Sequence, residues 1–434
     1  MQQKLAKLVT LLRGYSVDYA GATTLPREAG DVFRRYRSGE SLLDGLHIAE
    51  LEEALSDYYG GLEAITFGAG RMALYAILKA MKLKPGGEVI LPGYTCVVTC
   101  NAIRFAKLKP VYVDVSLKDF NIEPDLVKRA ITNKSGAILA QHTFGIPCDI
   151  ESLMEISKEY GVPVIEDGAH AIGARWDGEL LGRFCHSAFF SMEATKMIST
   201  ERGGFAITAD AELANRIREI QAQAEYAQEA VERACLLRWC YRGGFYGRTR
   251  LNALCRLGQM LARKIHIRAV NNILNFNQRD YEDSLAGRQM KPYPARLGNL
   301  MAYAGLLQLR RVDEDVAHRQ KLADYLESEL PKLGADVAEY DHVRAKPSWV
   351  KFPFLVKDRT EWETLMIRCG FTVGHWLEDP IHPKGSDCAV AGYVRGMCPN
   401  GEYLSEHVLN MPVDRRVSVA RLAKWLRLCN KRFS

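Results

Sequence analysis

Residues 162–174 read Val-Pro-Val-Ile-Glu-Asp-Gly-Ala-His-Ala-Ile-Gly-Ala, residues 189–196 read Phe-Phe-Ser-Met-Glu-Ala-Thr-Lys, and Arg202-Gly203-Gly204 closes the stretch. An apolar run, Val162–Glu166, ends in two acids. A second apolar run, Ala188–Ser191, ends in a hydroxyl, with Lys196 five residues beyond it. Runs this short and this apolar, bounded by glycine, predict strands buried on both faces. An acid at the end of such a strand needs a partner, because an unpaired buried carboxylate is costly.

Working outward, the same texture spans about Glu63 to Thr208. Glu88–Leu91, Pro110–Val115, Ala137–Gln141 and Phe205–Thr208 predict further buried strands. Arg71–Met81, Cys96–Lys107, Pro124–Thr132 and Ile150–Tyr160 predict helices between them, with Asp149 as an N-cap. Strands alternating with helices give an α/β fold, a mostly parallel sheet covered on both faces. Ligands on such sheets lie beyond the carboxyl ends of the strands. That rule places a site around Asp167, His170 and Gly93–Thr95. After Tyr293 a single long helix is expected, with Leu300, Ala304, Leu307, Leu309 and Val312 on roughly one side. Strand-like Trp349–Val356 and helical Glu361–Cys369 and Val417–Cys429 complete a smaller α+β unit. The expected division is an N-terminal helical segment over 1–37, a large domain over 38–290 with a basic, aromatic insert over about 225–290, and a small C-terminal domain over 291–434.

The bulk numbers fit this reading. A chain of 434 residues, 47% apolar and 25% charged, predicts a globular protein of two or three folding units. No apolar run reaches the roughly 18–20 residues of a membrane span. Met1–Ala20 carries Lys4, Lys7 and Arg13 among apolar residues, which predicts a short amphipathic helix and not a signal peptide. The eleven cysteines are scattered, and the Cys96–Cys100 spacing is not a common metal motif. Buried, reduced thiols in a cytoplasmic protein, with no metal site, are expected.

Positive charge is local. Residues 231–270 carry nine Lys/Arg against one acid, Glu232, a net of +8 where the whole chain has +6. Trp239, Tyr241, Phe245 and Tyr246 accompany it, and Leu251, Leu254, Leu257, Leu261 and Ile265 recur at helical spacing. Three readings stand: arginines for an anionic substrate such as a nucleotide-sugar pyrophosphate, docking on anionic lipid at the inner membrane face, or a solvated face with a subunit contact. No module for specific nucleic-acid recognition accompanies the charge.

The chemistry centres on Lys196. A lysine amine in a partly desolvated pocket loses its proton and condenses with an aldehyde. Asp167 would pair with a pyridinium N–H; its structural alternative is a helix N-cap. His170 would touch a ring or its phenolic oxygen. Gly68-Ala69-Gly70-Arg71 opens a helix, so its N–H groups and the Arg71 guanidinium suit a phosphate, with Ser191 as a further donor. An anion for a pyridine nitrogen, donors for a phosphate and an amine are the three requirements of pyridoxal phosphate.

The ordered set resembles the DegT/DnrJ/EryC1/StrS family of sugar aminotransferases, over about Ser38 to Leu428. Ser38-Gly39 followed by Leu51-Glu52-Glu53 resembles its opening segment. Gly70-Arg71-Met72-Ala73-Leu74 resembles its Gly-Thr-x-Ala-Leu phosphate loop, with arginine where threonine is usual. Leu91-Pro92-Gly93-Tyr94-Thr95, Gln141-His142 with Gly145, Pro147 with Asp149, and Glu166-Asp167-Gly168-Ala169-His170 follow in order. Ser191 and Lys196, Arg296-Leu297, Leu306 with Gln308-Leu309, Pro380-Ile381-His382 and Asn410-Met411-Pro412 complete the set. Two departures stand out. Cys96 replaces a ring that usually stacks on the cofactor, leaving Tyr94 or another ring to substitute. Pro294-Ala295 replaces an Asn-Tyr pair.

The resemblance implies fold type I, pyridoxal phosphate as cofactor, and a homodimer with shared active sites. Gly70, Arg71, Cys96, Asp167, His170, Ser191 and Lys196 would hold the cofactor. Tyr94, Arg296 and His382 would meet substrate or the neighbouring subunit. The implied reaction moves an amino group from a donor such as L-glutamate to a keto-sugar, nucleotide-linked, for polysaccharide or secondary-metabolite synthesis. Some relatives carry histidine at the lysine position and dehydrate sugars, so Lys196 points to transamination. The rival readings are a non-sugar ketone (a cyclitol, lipid or carrier-bound intermediate) and a non-catalytic regulatory homologue.

Overall fold

The computed structural model describes residues 24–245, 278–371 and 376–433. The expected helix over Met1–Ala20 and the leucine-periodic part of the basic segment lie outside the described residues.

Two helices, α1 (Pro26–Arg37) and α2 (Leu46–Tyr58), precede a seven-stranded sheet. Its strands are β1 (Glu63–Phe67), β2 (Glu88–Pro92), β3 (Lys109–Val113), β4 (Ser135–Gln141), β5 (Val164–Asp167), β6 (Ser187–Ser191) and β7 (Gly204–Thr208). The order across the sheet is β1-β7-β6-β5-β4-β2-β3. Strands β6, β5, β4, β2 and β3 pair in parallel. Strand β7 runs antiparallel to both β6 and β1. Strand β1 escapes the sequence reading because only four of its five residues are buried and its first, Glu63, faces solvent.

Alternation along the strands shows why these runs are so apolar. Val89, Leu91, Leu139, Ile165, Phe189 and Ala206 enter one core, together with α3 (Gly70–Ala80) and α4 (Val97–Phe105). Ile90, Ile138, Ala140 and Val164 enter the core on the opposite face, with α5 (Pro124–Ala130) and α6 (Ile150–Tyr160). Ala188, Phe190, Phe205 and Ile207 pack there too, in a third core shared with α1 and α2. Successive side chains of a strand point to opposite faces, so a strand covered on both sides must be apolar throughout. Asp149 caps α6 by accepting the Ser152 N–H at 3.1 Å, as its position predicts.

After β7 the chain forms α7 (Ala211–Gln223), α8 (Glu229–Phe245) and α9 (Gln278–Leu285). The single helix expected after Tyr293 is instead two, α10 (Asn299–Leu309) and α11 (Val312–Glu329). The break falls at Arg311, whose guanidinium bonds Glu28 at 2.6 Å and 2.8 Å and also pairs with Asp315. Burying this ion cluster leaves Arg311 at φ −131°, outside helical geometry. Packing also changes later than residue 291. Leu300, Leu306 and Val316 share a core with α1 and α2, whereas the C-terminal core begins at Leu322. That core holds β8 (Phe352–Leu355), β9 (Val408–Met411), α12 (Arg359–Arg368) and α13 (Val419–Phe433), and it takes in Phe120, Phe144 and Tyr94 from the large unit.

Candidate active site

The carboxyl ends of β4, β5 and β6 open into a cavity of about 780 Å³. The size suits a cofactor with a substrate beside it, since ligand sites run to about 300–1,000 Å³. Asp167 is the last residue of β5, between Gln141 of β4 and Phe189 of β6. No helix follows it, so it is not an N-cap. Its Oδ1 accepts the Ala169 N–H at 3.0 Å, and the residue is 4% exposed. Burial raises its pKa to about 6, against the opposing pull of that bond and of the Lys196 and His142 charges.

Lys196 sits in the loop between β6 and β7, its backbone N–H bonded to the Glu193 carbonyl at 2.9 Å. Its Nζ lies 4.3 Å from the centre of the Trp376 ring. Burial lowers its pKa, partly offset by Glu193, Cys96 and Asp167. His170 stacks on the same tryptophan, with ring centres 4.4 Å apart. His170 Nδ1 accepts the Phe144 N–H at 3.2 Å, so a neutral ring carries its proton on Nε2. Burial and the nearby Lys196 and His382 hold its pKa well below the ordinary value.

The other wall is the start of α3. Ala69 offers the first N–H groups of this helix no side-chain cap, and its first two residues, Gly70 and Arg71, line the cavity. Gly70 is required here: a Cβ would lie 2.8 Å from the Phe190 carbonyl and 3.0 Å from the Ser191 Cβ. Its absence lets the helix end approach β6 and Ser191. Arg71 is the second residue of this helix, at the positive end of its dipole, where a cation is disfavoured. Among the described residues its Nε is buried without a partner, and its Nη2 meets the Met290 sulfur at 3.6 Å. Among the described residues no carboxylate forms an ion pair with it. Desolvation lowers its pKa, and Arg202 adds repulsion. Such a guanidinium beside uncapped N–H groups is completed by an anion, and a phosphate fits.

Cys96 and His382 also line the cavity, side by side across a short parallel pairing. His382 Nδ1 accepts the Leu377 N–H at 3.1 Å, and burial pushes the Cys96 thiol up. Two other residues expected to meet substrate or the neighbouring subunit do not line this cavity. Tyr94 is fully buried in the C-terminal core, off the cavity, in the bend that precedes Thr95. Arg296 also lies off the cavity; its guanidinium covers the Tyr226 ring at 4.6 Å.

Trp376 is the ring that the sequence reading lacked. It follows no recognisable spacing and reaches the site only through the C-terminal unit. The His142–Glu166 pair was also missed, although both residues stand in the motifs quoted above. Glu166 is fully buried beneath Asp167; it meets His142 Nε2 at 3.1 Å and accepts N–H bonds from Gly182, Phe184 and Cys185 at 2.6 Å, 3.0 Å and 3.2 Å. His142 Nδ1 in turn accepts the Cys148 N–H at 3.1 Å. This pair anchors the end of β5 from behind. Thr95 Oγ1 donates to Gln141 at 2.6 Å and fixes the adjacent turn.

A profile of the DegT/DnrJ/EryC1/StrS aminotransferase family matches residues 26–424. The chain belongs to this family. This enzyme is an aminotransferase that works with pyridoxal phosphate. It is 26% identical over 371 residues to the uncharacterized protein MJ1066 of Methanocaldococcus jannaschii, covering 84% of each chain. It is 29% identical over 295 residues to GDP-perosamine synthase of Caulobacter vibrioides, covering 68% of this chain and 65%, just under two thirds, of that one. In fold it resembles a DegT/DnrJ/EryC1/StrS aminotransferase from Brucella abortus, with a TM-score of 0.70 at 20% identity over 94% of this chain and 95% of that one. Among the described residues no helix of this aminotransferase is long and apolar enough to cross a membrane.

Proposed function

We propose that this aminotransferase moves an amino group from an amino acid, L-glutamate, to the ketone of a nucleotide-linked sugar. The observation that carries the reading is a half-buried lysine of lowered pKa and a buried acid of raised pKa lining one cavity. When bound, pyridoxal phosphate supplies an aldehyde and a ring that spreads negative charge from the substrate carbon.

The chain's own groups do the rest. Arg71, the first N–H groups of α3 and Ser191 hold the phosphate. Asp167 keeps a proton on the ring nitrogen, which restores to its carboxylate the cationic partner that burial demands. The lowered pKa of Lys196 favours the neutral amine, the form that bonds to an aldehyde and accepts a proton from the substrate carbon. His170 presents Nε2–H toward the ring, and Trp376 shields that face from water.

The sugar reading draws on named relatives. Besides the GDP-perosamine synthase, the chain is 36% identical over 188 residues to UDP-2-acetamido-2-deoxy-3-oxo-D-glucuronate aminotransferase of Pseudomonas aeruginosa, 43% of this chain and 52% of that one. It is 23% identical over 380 residues to the spore coat polysaccharide biosynthesis protein SpsC of Bacillus subtilis, 86% of each chain. A role in polysaccharide synthesis, a homodimer with shared sites, and a cytoplasmic location belong to the same proposal. The family resemblance supports the dimer, and light scattering tests it.

The decisive experiment is spectroscopic. Purified protein with pyridoxal phosphate should show a visible band that Lys196→Ala abolishes, and L-glutamate should bleach it with release of 2-oxoglutarate. Absence of the band in the wild type, or turnover retained by Lys196→Ala, refutes the reading.

A further inference from the structure

Helix α8 carries the start of the basic segment, and its inner face closes on the back of the Lys196 loop. Trp239 is fully buried and donates its Nε1–H to the Ser199 carbonyl at 2.7 Å. Gln308 of α10 takes both backbone groups of the same residue, accepting the Ser199 N–H at 2.9 Å and donating to its carbonyl at 2.7 Å. Cys235 and Leu236 pack in one core with Met197 and Ile198, the residues directly after the lysine.

Two residues beyond Ser199, Glu201 adopts φ 61°, in the left-handed region that a residue with a side chain occupies only when its surroundings impose it. Its side chain is fully buried. Arg242 pairs with Oε1, and Arg238 Nε lies 3.4 Å from Oε2. Arg238 and Arg242 are four residues apart, one turn of α8, so both reach the same carboxylate from one helix face. Arg238 also lines the cavity. These two arginines of the basic segment are therefore engaged inside the protein, at the active-site loop.

We propose that α8 is a brace for that loop, with Trp239, Arg238 and Arg242 as positioning residues for Lys196. The proposal rests on the reading of Lys196 as the reacting amine. Residues 192–203 carry the lysine without a helix or strand of their own, so the geometry of Nζ depends on what grips the loop. The grip falls on Ser199 and Glu201, three and five residues past the lysine. A displacement of about 1 Å at a reacting group costs on the order of 100-fold in rate. Loosening the loop would also admit water to the amine and relieve the desolvation that lowers its pKa.

The test uses the full-length holoenzyme and three variants, Trp239→Phe, Arg242→Met and Arg242→Lys. The measurements are the single-turnover rate with L-glutamate, the glutamate half-saturation, the pH midpoint of the visible band and the melting temperature. Trp239→Phe and Arg242→Met should slow the half-reaction by roughly 10- to 100-fold. Half-saturation should change little, the band midpoint should move, and Arg242→Lys should recover most of the loss. Folded variants with wild-type rate and midpoint overturn the proposal. So does a slower rate with an unmoved midpoint and no recovery in Arg242→Lys, which marks a merely structural contact. If Arg242→Met does not fold, the other two variants decide. A wild type without a Lys196-dependent band sinks the functional reading itself; a wild type with the band and unaffected variants sinks only the brace.

Discussion

Replacing Asp167 by asparagine should stabilise the cofactor-free protein at alkaline pH while crippling the enzyme. Burial lifts the Asp167 pKa from 3.8 to about 6 in the folded chain. The folded state therefore holds this proton more tightly than the unfolded state does. Well below pH 4 the acid is protonated in both states and costs nothing. As pH rises through the unfolded value and then past 6, the folded state comes to carry an ionised, buried carboxylate that the unfolded chain hydrates freely. A rise of this size, at about 1.4 kcal/mol for each tenfold change in proton affinity, amounts to roughly 3 kcal/mol of stability lost above pH 6. Asparagine stays neutral throughout and keeps an oxygen for the Ala169 N–H.

Urea unfolding of the cofactor-free wild type and Asp167→Asn, at several pH values between 4 and 8, measures this directly. The variant should be more stable by up to about 3 kcal/mol at pH 8, with the gap closing toward pH 4. Saturating pyridoxal phosphate should then stabilise the wild type more than the variant, because only the wild type regains a cationic partner for the acid. A pH-independent gap, or a variant less stable than wild type at pH 8, would show that Asp167 is not the strained group its burial implies.

Three further outcomes follow from the same geometry. Arg71→Met should weaken pyridoxal phosphate binding by roughly 10- to 100-fold, the value of a charge-assisted hydrogen bond, and leave pyridoxal binding unchanged in equilibrium dialysis. Gly70→Ala should cost about 1–3 kcal/mol in urea unfolding, because its methyl would press on the Phe190 carbonyl 2.8 Å away. Glu166→Ala should cost about 3–5 kcal/mol by the same measurement, since it strands His142 and three backbone N–H groups in a dry core.

How much of this was legible in the sequence depended on how local each cause was. The strands after Thr95 could be read because a strand packed on both faces is apolar along its whole length, as Ile138–Ala140 and Val164–Ile165 are. Strand β1 could not, and the break at Arg311 could not, because Glu28 lies 283 residues away in the chain. Asp167 and Lys196 stand at or just past strand ends and Gly70 opens a helix, and so they announced themselves. Trp376 enters the site from the other unit and has no local mark. Tyr94 looked like a cavity residue because it stands just before Thr95 and Cys96, yet it lies in a bend and packs into the C-terminal core. Charge density in the basic segment left open an anionic substrate, anionic lipid, or a solvated face with a subunit contact. At least Arg238 and Arg242 are instead engaged by a single buried acid, which composition cannot reveal.

The three charged groups of the site share one peculiarity that argues for their common purpose. The pKa of Asp167 is raised, those of Lys196 and Arg71 are lowered, and in each case burial is the largest cause. Each is thus held where its charged form is disfavoured. A structural ion pair would do the opposite, as at Asp414, where Arg416 holds the carboxyl far below its ordinary value despite complete burial. Asp167 and Lys196 could have satisfied each other, yet burial outweighs their mutual attraction in both. A cavity that keeps an acid, an amine and a guanidinium separately short of partners destabilises the empty protein. It gains most from one molecule bearing a cationic ring nitrogen, an electrophilic carbon and an anionic end. Pyridoxal phosphate has these three features, so a single binding event relieves Asp167, Lys196 and Arg71 together.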